Sequence, residues 1–293
     1  MVINLYETIK AHPEYFKQLS CKELLFTQYD CPQADKMQSL YSQNNFIAWV
    51  VSGKRTFYQP GYTIEMIAGK CVFAKKGGWL AEKEPGDGWC VIVFFIPDNY
   101  LKQFIKEYRN SLPLKKMQQE TTRQIIELDV NETTKQFFQS MIPYFTQNPP
   151  PPENLLELKF RELVFNLLIN PVNTSLLQYA SSMADADKIS LQEVMEANFT
   201  YNLSLSAYAT IAQRSLASFK REFTTVFHTS PGKWLLNKRL DYARMLLTTS
   251  NHTVNDISFE SGFENTTHFS RVFKEKFGSS PLRFKKQPAG ITR

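Results

Sequence analysis

The sequence predicts an α+β protein with a β-rich N-terminal half and an all-α C-terminal third. Two observations predict this class. Residues 45–97 contain short apolar runs separated by Gly and Pro, which is typical of an antiparallel sandwich or barrel. Between residues 203 and 286, a short helical segment, a turn and a longer helical segment occur twice. A chain of 293 residues is long enough for two domains of ordinary size.

The predicted strands of the N-terminal half end at Gly or Pro turn signals. They cover residues 46–51, 56–59, 62–67, 71–74 and 89–96, and Gly77-Gly78 is interpreted as a turn. Residues 1–30 show only weak helical patterning. The β-rich region is therefore expected to end near Pro97.

Helical periodicity begins after Pro97. Apolar spacings of three and four predict helices near residues 101–108 and 133–144, and a longer amphipathic helix over residues 153–169. The broad Leu-rich face of this last helix would either pack on its own β domain or mediate a dimer, and the sequence leaves both open. Small and acidic residues at 183–188 indicate an interdomain linker.

Positive charge is concentrated in the C-terminal third. Residues 188–293 contain 15 Lys and Arg against 8 Asp and Glu, a net charge of +7, whereas residues 1–187 carry −1. A basic domain joined to a near-neutral one indicates a module that binds a polyanion.

An internal repeat with an offset of 50 residues is the decisive feature of this basic region. The identical pairs are Phe219/Phe269, Arg221/Arg271, Phe223/Phe273, Phe227/Phe277, Ser230/Ser280 and Pro231/Pro281. In each copy the Phe residues lie four apart, which places them on one helix face and the basic residues on others. Because a protruding second helix fits the major groove, the repeat predicts two helix-turn-helix units that bind double-stranded DNA.

A helix is predicted to connect the two units. Residues 231–247 would span about 25 Å, which is compatible with recognition helices roughly one DNA turn, or 34 Å, apart.

Three stretches of the C-terminal third resemble the DNA-binding domain of the AraC/XylS regulator family. They are SPGKWL at 230–235, RLDYARMLL at 239–247 and DISFESGFENTTHFSRVFKEKFG at 256–278. The resemblance implies a seven-helix domain that inserts two recognition helices into adjacent major grooves and usually activates transcription. By position, it implies DNA contacts by Ser215, Ala217, Ser218, Lys220, Arg221, Asn265, Thr266, Thr267, His268, Arg271 and Lys274.

Arg221 and Arg271 are the leading candidates in this set. An Arg can bind guanine O6 and N7 with two hydrogen bonds or clamp a phosphate, and both roles remain open. Gln213 departs from the family pattern, in which Gly occupies the first turn, so the resemblance implies the geometry of that turn and the docking of its helix less firmly than those of the second. The second unit is therefore predicted to be the main reader of DNA sequence, with Lys220 and Arg221 contributing phosphate contacts.

The N-terminal half is similar to the cupin-like sensor domains that precede this DNA-binding domain. The similarity rests on IAWVVSGK at 47–54 and IAGKCVFAKKG at 67–77, and the nearest type is that of the type III secretion activators, which respond to partner proteins. The resemblance implies a cupin-like β-sandwich or barrel with dimerisation-type helices at 1–182, a linker at 183–188 and a double helix-turn-helix domain at 189–293.

Composition argues against an enzyme. Metal-dependent cupins use several His ligands, whereas residues 1–187 contain only His12, so no metal, cofactor or catalytic residue is predicted. Aromatic residues between 49 and 89 are interpreted as sandwich core in preference to the wall of an effector pocket. No apolar run approaches the roughly 18 residues that cross a bilayer, so no membrane partner is expected.

The predicted function is therefore that of a cytoplasmic, sequence-specific transcription activator. It is expected to act as a homodimer, to work with RNA polymerase and to be controlled by a small-molecule effector through its N-terminal domain. Gating by a partner protein is the main alternative. A cupin-type enzyme and an interaction protein that has lost DNA binding are the less favoured ones.

Overall fold

Two compact units make up the chain in the computed structural model, Met1–Ile189 and Ser190–Arg293. The structure describes residues 2–30, 37–59, 62–83, 88–114, 123–185 and 190–286. The predicted linker at 183–188 falls partly on a helix, because helical structure continues to Asp185. The rest of that linker lies outside the described residues.

Strands come first in the N-terminal unit and helices follow. In chain order the described elements are β1 (Val2–Asn4), α1 (Leu5–Ala11), β2 (Lys17–Cys21), β3 (Leu24–Asp30), β4 (Met37–Ser42), β5 (Asn45–Ser52), β6 (Lys54–Gln59), β7 (Tyr62–Ile67), β8 (Cys71–Ala74), β9 (Gly77–Lys83), β10 (Cys90–Ile96), α2 (Asp98–Glu107), β11 (Ile125–Leu128), α3 (Glu132–Met141), a 3-10 helix (Ile142–Thr146), α4 (Glu153–Ile169) and α5 (Thr174–Asp185). The strands form two sheets, with orders β1-β4-β9-β6-β7 and β11-β8-β5-β10-β3-β2 within the described ranges. Strand β1 runs parallel to β4, and the other pairings are antiparallel.

The six-stranded sheet is buried on both faces. In β10, Val93 and Phe95 pack into the core shared with the five-stranded sheet, whereas Ile92 and Phe94 pack into a second core shared with helices α2 to α5. Alternate side chains of a strand point to opposite faces. A strand covered on both sides therefore appears in the sequence as one continuous apolar run.

Several strands of the N-terminal unit were not predicted from the sequence. Residues 1–30 contain β1, β2 and β3 as well as the short helix α1. Gly77-Gly78, interpreted as a turn, begins β9, and Gly77 has a φ of 141° that favours glycine. Strand β3 carries apolar residues on both faces, so it lacks the alternation that marks a half-buried strand.

Helix α4 buries its apolar face within its own unit. Its Phe160 ring lies 5.3 Å from that of Phe26 and 6.0 Å from that of Phe94, and neighbouring Leu residues join the same core. Of the two roles left open by the sequence, packing on the β domain accounts for this face. Leu158 and Ile169 remain exposed on α4, and a dimer through this helix and its neighbours stays a prediction.

A buried polar cluster joins the sheet to helices α2 and α5. Lys76 Nζ lies 2.6 Å from Asp98 Oδ2, and both side chains are less than a tenth exposed. Asn45 donates from Nδ2 to Asp98 Oδ1 at 2.7 Å, and its Oδ1 accepts from the backbone N–H of Lys76 at 3.0 Å and from the Tyr179 hydroxyl at 2.9 Å. Strand β5, helices α2 and α5 and the loop between β8 and β9 are thus tied together by one ion pair and its hydrogen bonds.

The C-terminal unit is all α and confirms the predicted fold class. Its described helices are α6 (Leu191–Asn198), α7 (Leu205–Ile211), α8 (Leu216–Phe227), α9 (Pro231–Thr249), α10 (Val254–Glu260), α11 (Thr266–Phe277) and α12 (Pro281–Lys285). The repeated Phe residues face inward, as the spacing of four predicts, and Phe219, Phe223, Phe269 and Phe273 are fully buried. Within the described ranges, no helix combines the length and the apolar character needed to span a membrane.

Candidate nucleic-acid interface

The first helix-turn-helix consists of α7, a short turn and α8. Ser215 begins α8 as its N-cap, because its Oγ accepts a hydrogen bond from the Ser218 N–H at 3.2 Å. The buried rings of Phe219 and Phe223 fix one face of α8 to the core. The opposite side of the helix is therefore the side available to a ligand.

The second helix-turn-helix repeats this arrangement with α10 and α11. Thr253 and Asp256 form a capping box at the start of α10. Hydrogen bonds from the Thr253 hydroxyl and N–H hold the pKa of the Asp256 carboxyl below its usual value. Asn265 caps α11 by accepting from the N–H groups of Thr267 at 2.8 Å and His268 at 3.0 Å.

The two turns share one backbone conformation. Gln213 has a φ of 55° and Gly262 a φ of 86°, both in the left-handed region. The next residue bonds back across the turn in each case, from Arg214 N–H to Ala209 O at 2.9 Å and from Phe263 N–H to Ser258 O at 3.0 Å. The first turn thus follows the pattern of the second, although Gln213 stands where the second turn has Gly262.

Exposed side chains form a similar face on each recognition helix. On α8 this face includes Ala217, Lys220 and Arg221, and on α11 it includes Thr267, His268, Arg271 and Lys274. Three other predicted contact residues, Ser215, Asn265 and Thr266, already use side-chain oxygens within the protein, the first two as N-caps and Thr266 as a donor to Asn255 Oδ1 at 2.8 Å. Ser218 is half-buried.

The two arginines of the repeat differ in their surroundings. Arg271 Nη1 donates to Glu275 Oε1 at 2.7 Å, one helical turn away, and both side chains are well exposed. Thr225 occupies the equivalent position next to Arg221, and no ion pair of Arg221 occurs among the described residues. An exposed pair of this kind contributes at most about 1 kcal/mol, so a phosphate or a base can displace Glu275.

The second turn packs against the segment that precedes the first helix-turn-helix. An added Cβ on Gly262 would lie 2.5 Å from Thr200 O. Beside it, Arg239 donates from Nε to Phe199 O at 2.6 Å and from Nη2 to Tyr201 O at 2.9 Å. Burial lowers the pKa of the Arg239 guanidinium from its ordinary value. The second turn and α9 are thereby held against the segment that precedes α7.

Comparisons with known proteins agree with this architecture. Residues 45–179 match the ExsA N-terminal regulatory domain, and residues 208–287 match a helix-turn-helix domain. The thermoregulatory protein LcrF of Yersinia pestis is 24% identical over 236 residues, which cover 79% of this chain and 85% of LcrF. The transcriptional regulator ExsA of Pseudomonas aeruginosa is 23% identical, covering 80% of this chain and 83% of ExsA.

The regulatory domain and the DNA-binding domain thus occur in the order found in these regulators. The chain belongs to the AraC family. Among solved structures, this AraC-family chain is similar to ToxT from Vibrio cholerae, with 14% identity and a TM-score of 0.41, covering 91% of this chain and 99% of ToxT. The family assignment confirms the resemblance identified in the sequence.

One positioning contact of this AraC-family regulator was not predicted from the sequence. Arg214 forms a two-pronged ion pair with Glu222, with Nε–Oε2 and Nη2–Oε1 distances of 2.6 and 2.7 Å, and donates from Nη1 to Ala212 O at 2.6 Å. The contact anchors the first turn to α8. The only feature of the sequence that indicated this contact is the pair of opposite charges at Arg214 and Glu222, eight residues apart.

Replacing Gln213 with Gly should stabilise the first turn of the AraC-family domain by about 0.5–1 kcal/mol. A left-handed backbone costs a non-Gly residue about 1–2 kcal/mol, and the greater freedom of Gly in the unfolded chain offsets part of that gain. Urea unfolding of the full chain measures the change. Thr210→Gly is the control, since an exposed helical position should lose about 0.5 kcal/mol. A loss of stability in Gln213→Gly would show that the Gln213 side chain matters more than its backbone conformation.

No described group of three or more His, Cys, Asp or Glu side chains is arranged to hold a metal ion. The relatives named above are regulators, and the exposed faces of α8 and α11 include hydroxyl, imidazole and basic side chains. Such groups suit hydrogen bonds to base edges and phosphates.

Proposed function

We propose that this chain activates transcription by placing α8 and α11 in two adjacent major-groove segments of one operator. The observation that carries the proposal is the repetition of one exposed face, with Arg221 and Arg271 at equivalent positions on helices whose other faces are buried. The net charge of +7 over residues 188–293 favours the approach to DNA.

Helix α9 supports the proposed spacing of the two reading helices. Its 19 residues give a rigid element of about 28 Å between the two units. That length is comparable with the roughly 34 Å between adjacent major-groove sites on one side of a duplex. The contacts of Gly262 and Arg239 keep the second unit from rotating about this connector.

Helices α8 and α11 are proposed to make different kinds of DNA contact. Helix α11 offers Thr267, His268, Arg271 and Lys274, whose varied donors and acceptors suit base recognition. Helix α8 offers Lys220 and Arg221 beside the apolar Ala217, which suits phosphate contacts.

Replacing Arg271 with Ala should weaken operator binding by about 1–3 kcal/mol and relax sequence preference, because a base contact is lost. Replacing Arg221 with Ala should weaken binding to all sequences alike and lower the dependence of affinity on salt. Both effects can be measured by fluorescence anisotropy at fixed salt, on a site selected from a random DNA pool and on a scrambled site.

Lys70→Ala is the charge-matched control, because Lys70 lies in the other unit and pairs with Glu127. It should leave both affinities unchanged. Equal affinity of Arg271→Ala and the unmodified protein for the selected site would contradict the assignment of α11.

Control of this activity is proposed to act through the N-terminal unit, with a small molecule as the effector. A partner protein stays the alternative, and a small molecule would enter the small cavity between the two sheets of that unit, which is open to solvent. The proposal has three further parts. The active form is a homodimer, it works with RNA polymerase, and it acts in the cytoplasm.

A further inference from the structure

Glu275 is an acidic residue on the exposed side of α11, one helical turn after Arg271. Its Oε1 accepts a hydrogen bond from Arg271 Nη1 at 2.7 Å. The next residue, Lys276, is engaged elsewhere, because its Nζ lies 2.9 Å from Asp241 Oδ2. Glu275 is therefore paired with the arginine of the recognition helix and not with the lysine beside it.

Helix stability does not account for an acidic residue at this position. Glu275 lies in the last turn of α11, where the partial negative charge of the helix dipole opposes a carboxylate. The other charged residues of that turn are Lys274 and Lys276, which the dipole favours. An ion pair between residues four apart also stabilises a helix more when the acid precedes the base, whereas here Arg271 precedes Glu275. Residues that violate such local preferences are expected at functional sites.

Affinity for DNA does not account for the Glu275 carboxylate either. An acidic side chain near a duplex is repelled by the phosphates and weakens binding to every sequence alike. A carboxylate on a recognition helix must therefore bring an advantage other than affinity. Discrimination between two ligands is such an advantage, because it can come from a group that repels the wrong one.

The first helix-turn-helix provides an internal comparison. In the 50-residue repeat, Thr225 occupies the equivalent position on α8, and its hydroxyl donates to Arg221 O at 3.1 Å. The acidic residue of α8 is Glu222, which pairs with Arg214 of the turn at 2.6 Å. Arg221 thus has a hydroxyl one turn away that is already used, whereas Arg271 has a carboxylate.

We propose that Glu275 is a positioning residue that restricts Arg271 to a guanine and disfavours contact of Arg271 with a phosphate. The pair uses one of the five N–H donors of the guanidinium, so enough remain for two hydrogen bonds to guanine O6 and N7. An arginine already held in one conformation also loses less side-chain entropy when it binds a base. A phosphate at the same place would bring a full negative charge close to the Glu275 carboxylate, whereas a guanine edge presents neutral acceptors.

This role rests on the proposed function, in which α11 contacts base edges, and adds a specificity-determining residue to it. The test uses fluorescence anisotropy with the full-length protein and three duplexes. They are a site selected from a random DNA pool, a scrambled site, and the selected site with one guanine–cytosine pair replaced by adenine–thymine. The replaced pair is one whose change weakens binding by the unmodified protein but not by Arg271→Ala. Specificity is measured as the ratio of the affinities for the selected and scrambled sites.

Glu275→Gln should lower specificity about threefold or more and tolerate the replaced guanine better than the unmodified protein does. Binding to the scrambled site should become stronger and more dependent on salt, because Arg271 is released to phosphates. The Tm should stay the same or rise slightly, since the carboxylate opposes the helix dipole. Glu196→Gln is the matched control, because Glu196 is exposed on α6 and pairs with Lys238 at 2.6 Å. It removes the same charge from the same unit and should leave specificity unchanged.

A double variant of Glu275→Gln and Arg271→Ala separates positioning from direct contact. Because Glu275 is proposed to act through Arg271, the double variant should have the same specificity as Arg271→Ala alone. A further fall in specificity would overturn the proposal and make Glu275 a base contact in its own right, since a carboxylate accepts from cytosine N4. Equal specificity of Glu275→Gln and Glu196→Gln, or a loss of several degrees in the Tm of Glu275→Gln, would overturn it too.

Three results distinguish this role from the proposed function. Equal affinity of the unmodified protein for the selected and scrambled sites would overturn the proposed function. Full specificity in Arg271→Ala would overturn the role of Arg271 and, with it, that of Glu275. Loss of specificity in Arg271→Ala together with full specificity in Glu275→Gln would overturn the role of Glu275 alone.

Discussion

Replacing Gly262 with Ala should destabilise the C-terminal unit by more than about 3 kcal/mol and abolish operator binding. The added Cβ would lie 2.5 Å from Thr200 O and 2.9 Å from Thr200 C, and these backbone atoms cannot move without disturbing the segment before α7. The φ of 86° adds a penalty of about 1–2 kcal/mol for any residue with a Cβ. Overpacking and backbone strain thus act together.

Gly278→Ala is the matched control for this prediction. Gly278 ends α11 with a φ of 76°, but no atom lies within 4 Å of the position that a Cβ would occupy. It should therefore cost only about 1–2 kcal/mol. Urea unfolding followed by circular dichroism gives the loss of stability in each variant, and fluorescence anisotropy gives its operator affinity. Similar losses in the two variants would mean that the close approach to Thr200 contributes nothing.

Replacing Asp98 with Asn should destabilise the N-terminal unit by about 3–5 kcal/mol. The substitution preserves shape but leaves the buried Lys76 ammonium without the carboxylate at 2.6 Å. The hydrogen bond from Asn45 to Asp98 Oδ1 is also weakened, because a neutral amide is a poorer acceptor than a carboxylate. Chemical denaturation of the full chain, with fluorescence of the N-terminal tryptophans as the signal, measures the loss.

Glu127→Gln is the corresponding control on the surface. Lys70 Nζ lies 3.1 Å from Glu127 Oε2, with the two side chains 37% and 51% exposed. Breaking this pair should cost less than about 1 kcal/mol, because water and salt already screen it. A loss in Asp98→Asn no greater than that in Glu127→Gln would show that Lys76 gains another partner when Asp98 is neutral.

The C-terminal unit could be predicted from sequence in most of its features because its signals are local. Phe residues four apart identify the inward faces of α8 and α11, and the two arginines between them, Arg221 and Arg271, are exposed. Helix α4 was likewise predicted with the bounds Glu153–Ile169 that the structure has. Periodicity indicates that a helix has an apolar face, but not which surface covers that face.

Other features depend on residues that are distant in sequence. Asn45 and Tyr179 are 134 positions apart, and no local pattern predicts their hydrogen bond. Strands such as β3 lack alternation because both of their faces are buried, and this follows only from the assembled layers. The same limit applies to Arg55 of β6, which is only 3% exposed but looks like an ordinary surface arginine until its strand is placed in the sheet.

The lock formed by Gly262, Thr200 and Arg239 also has a consequence for the DNA partner. If α8 and α11 are held at a fixed separation, the two half-sites of the proposed operator must lie on the same side of the DNA helix. A single inserted base pair would rotate one half by about 35° relative to the other, and neither the protein turn nor the connecting helix can follow that rotation. The regulator would then recognise the spacing between two short base sequences as strictly as the sequences themselves.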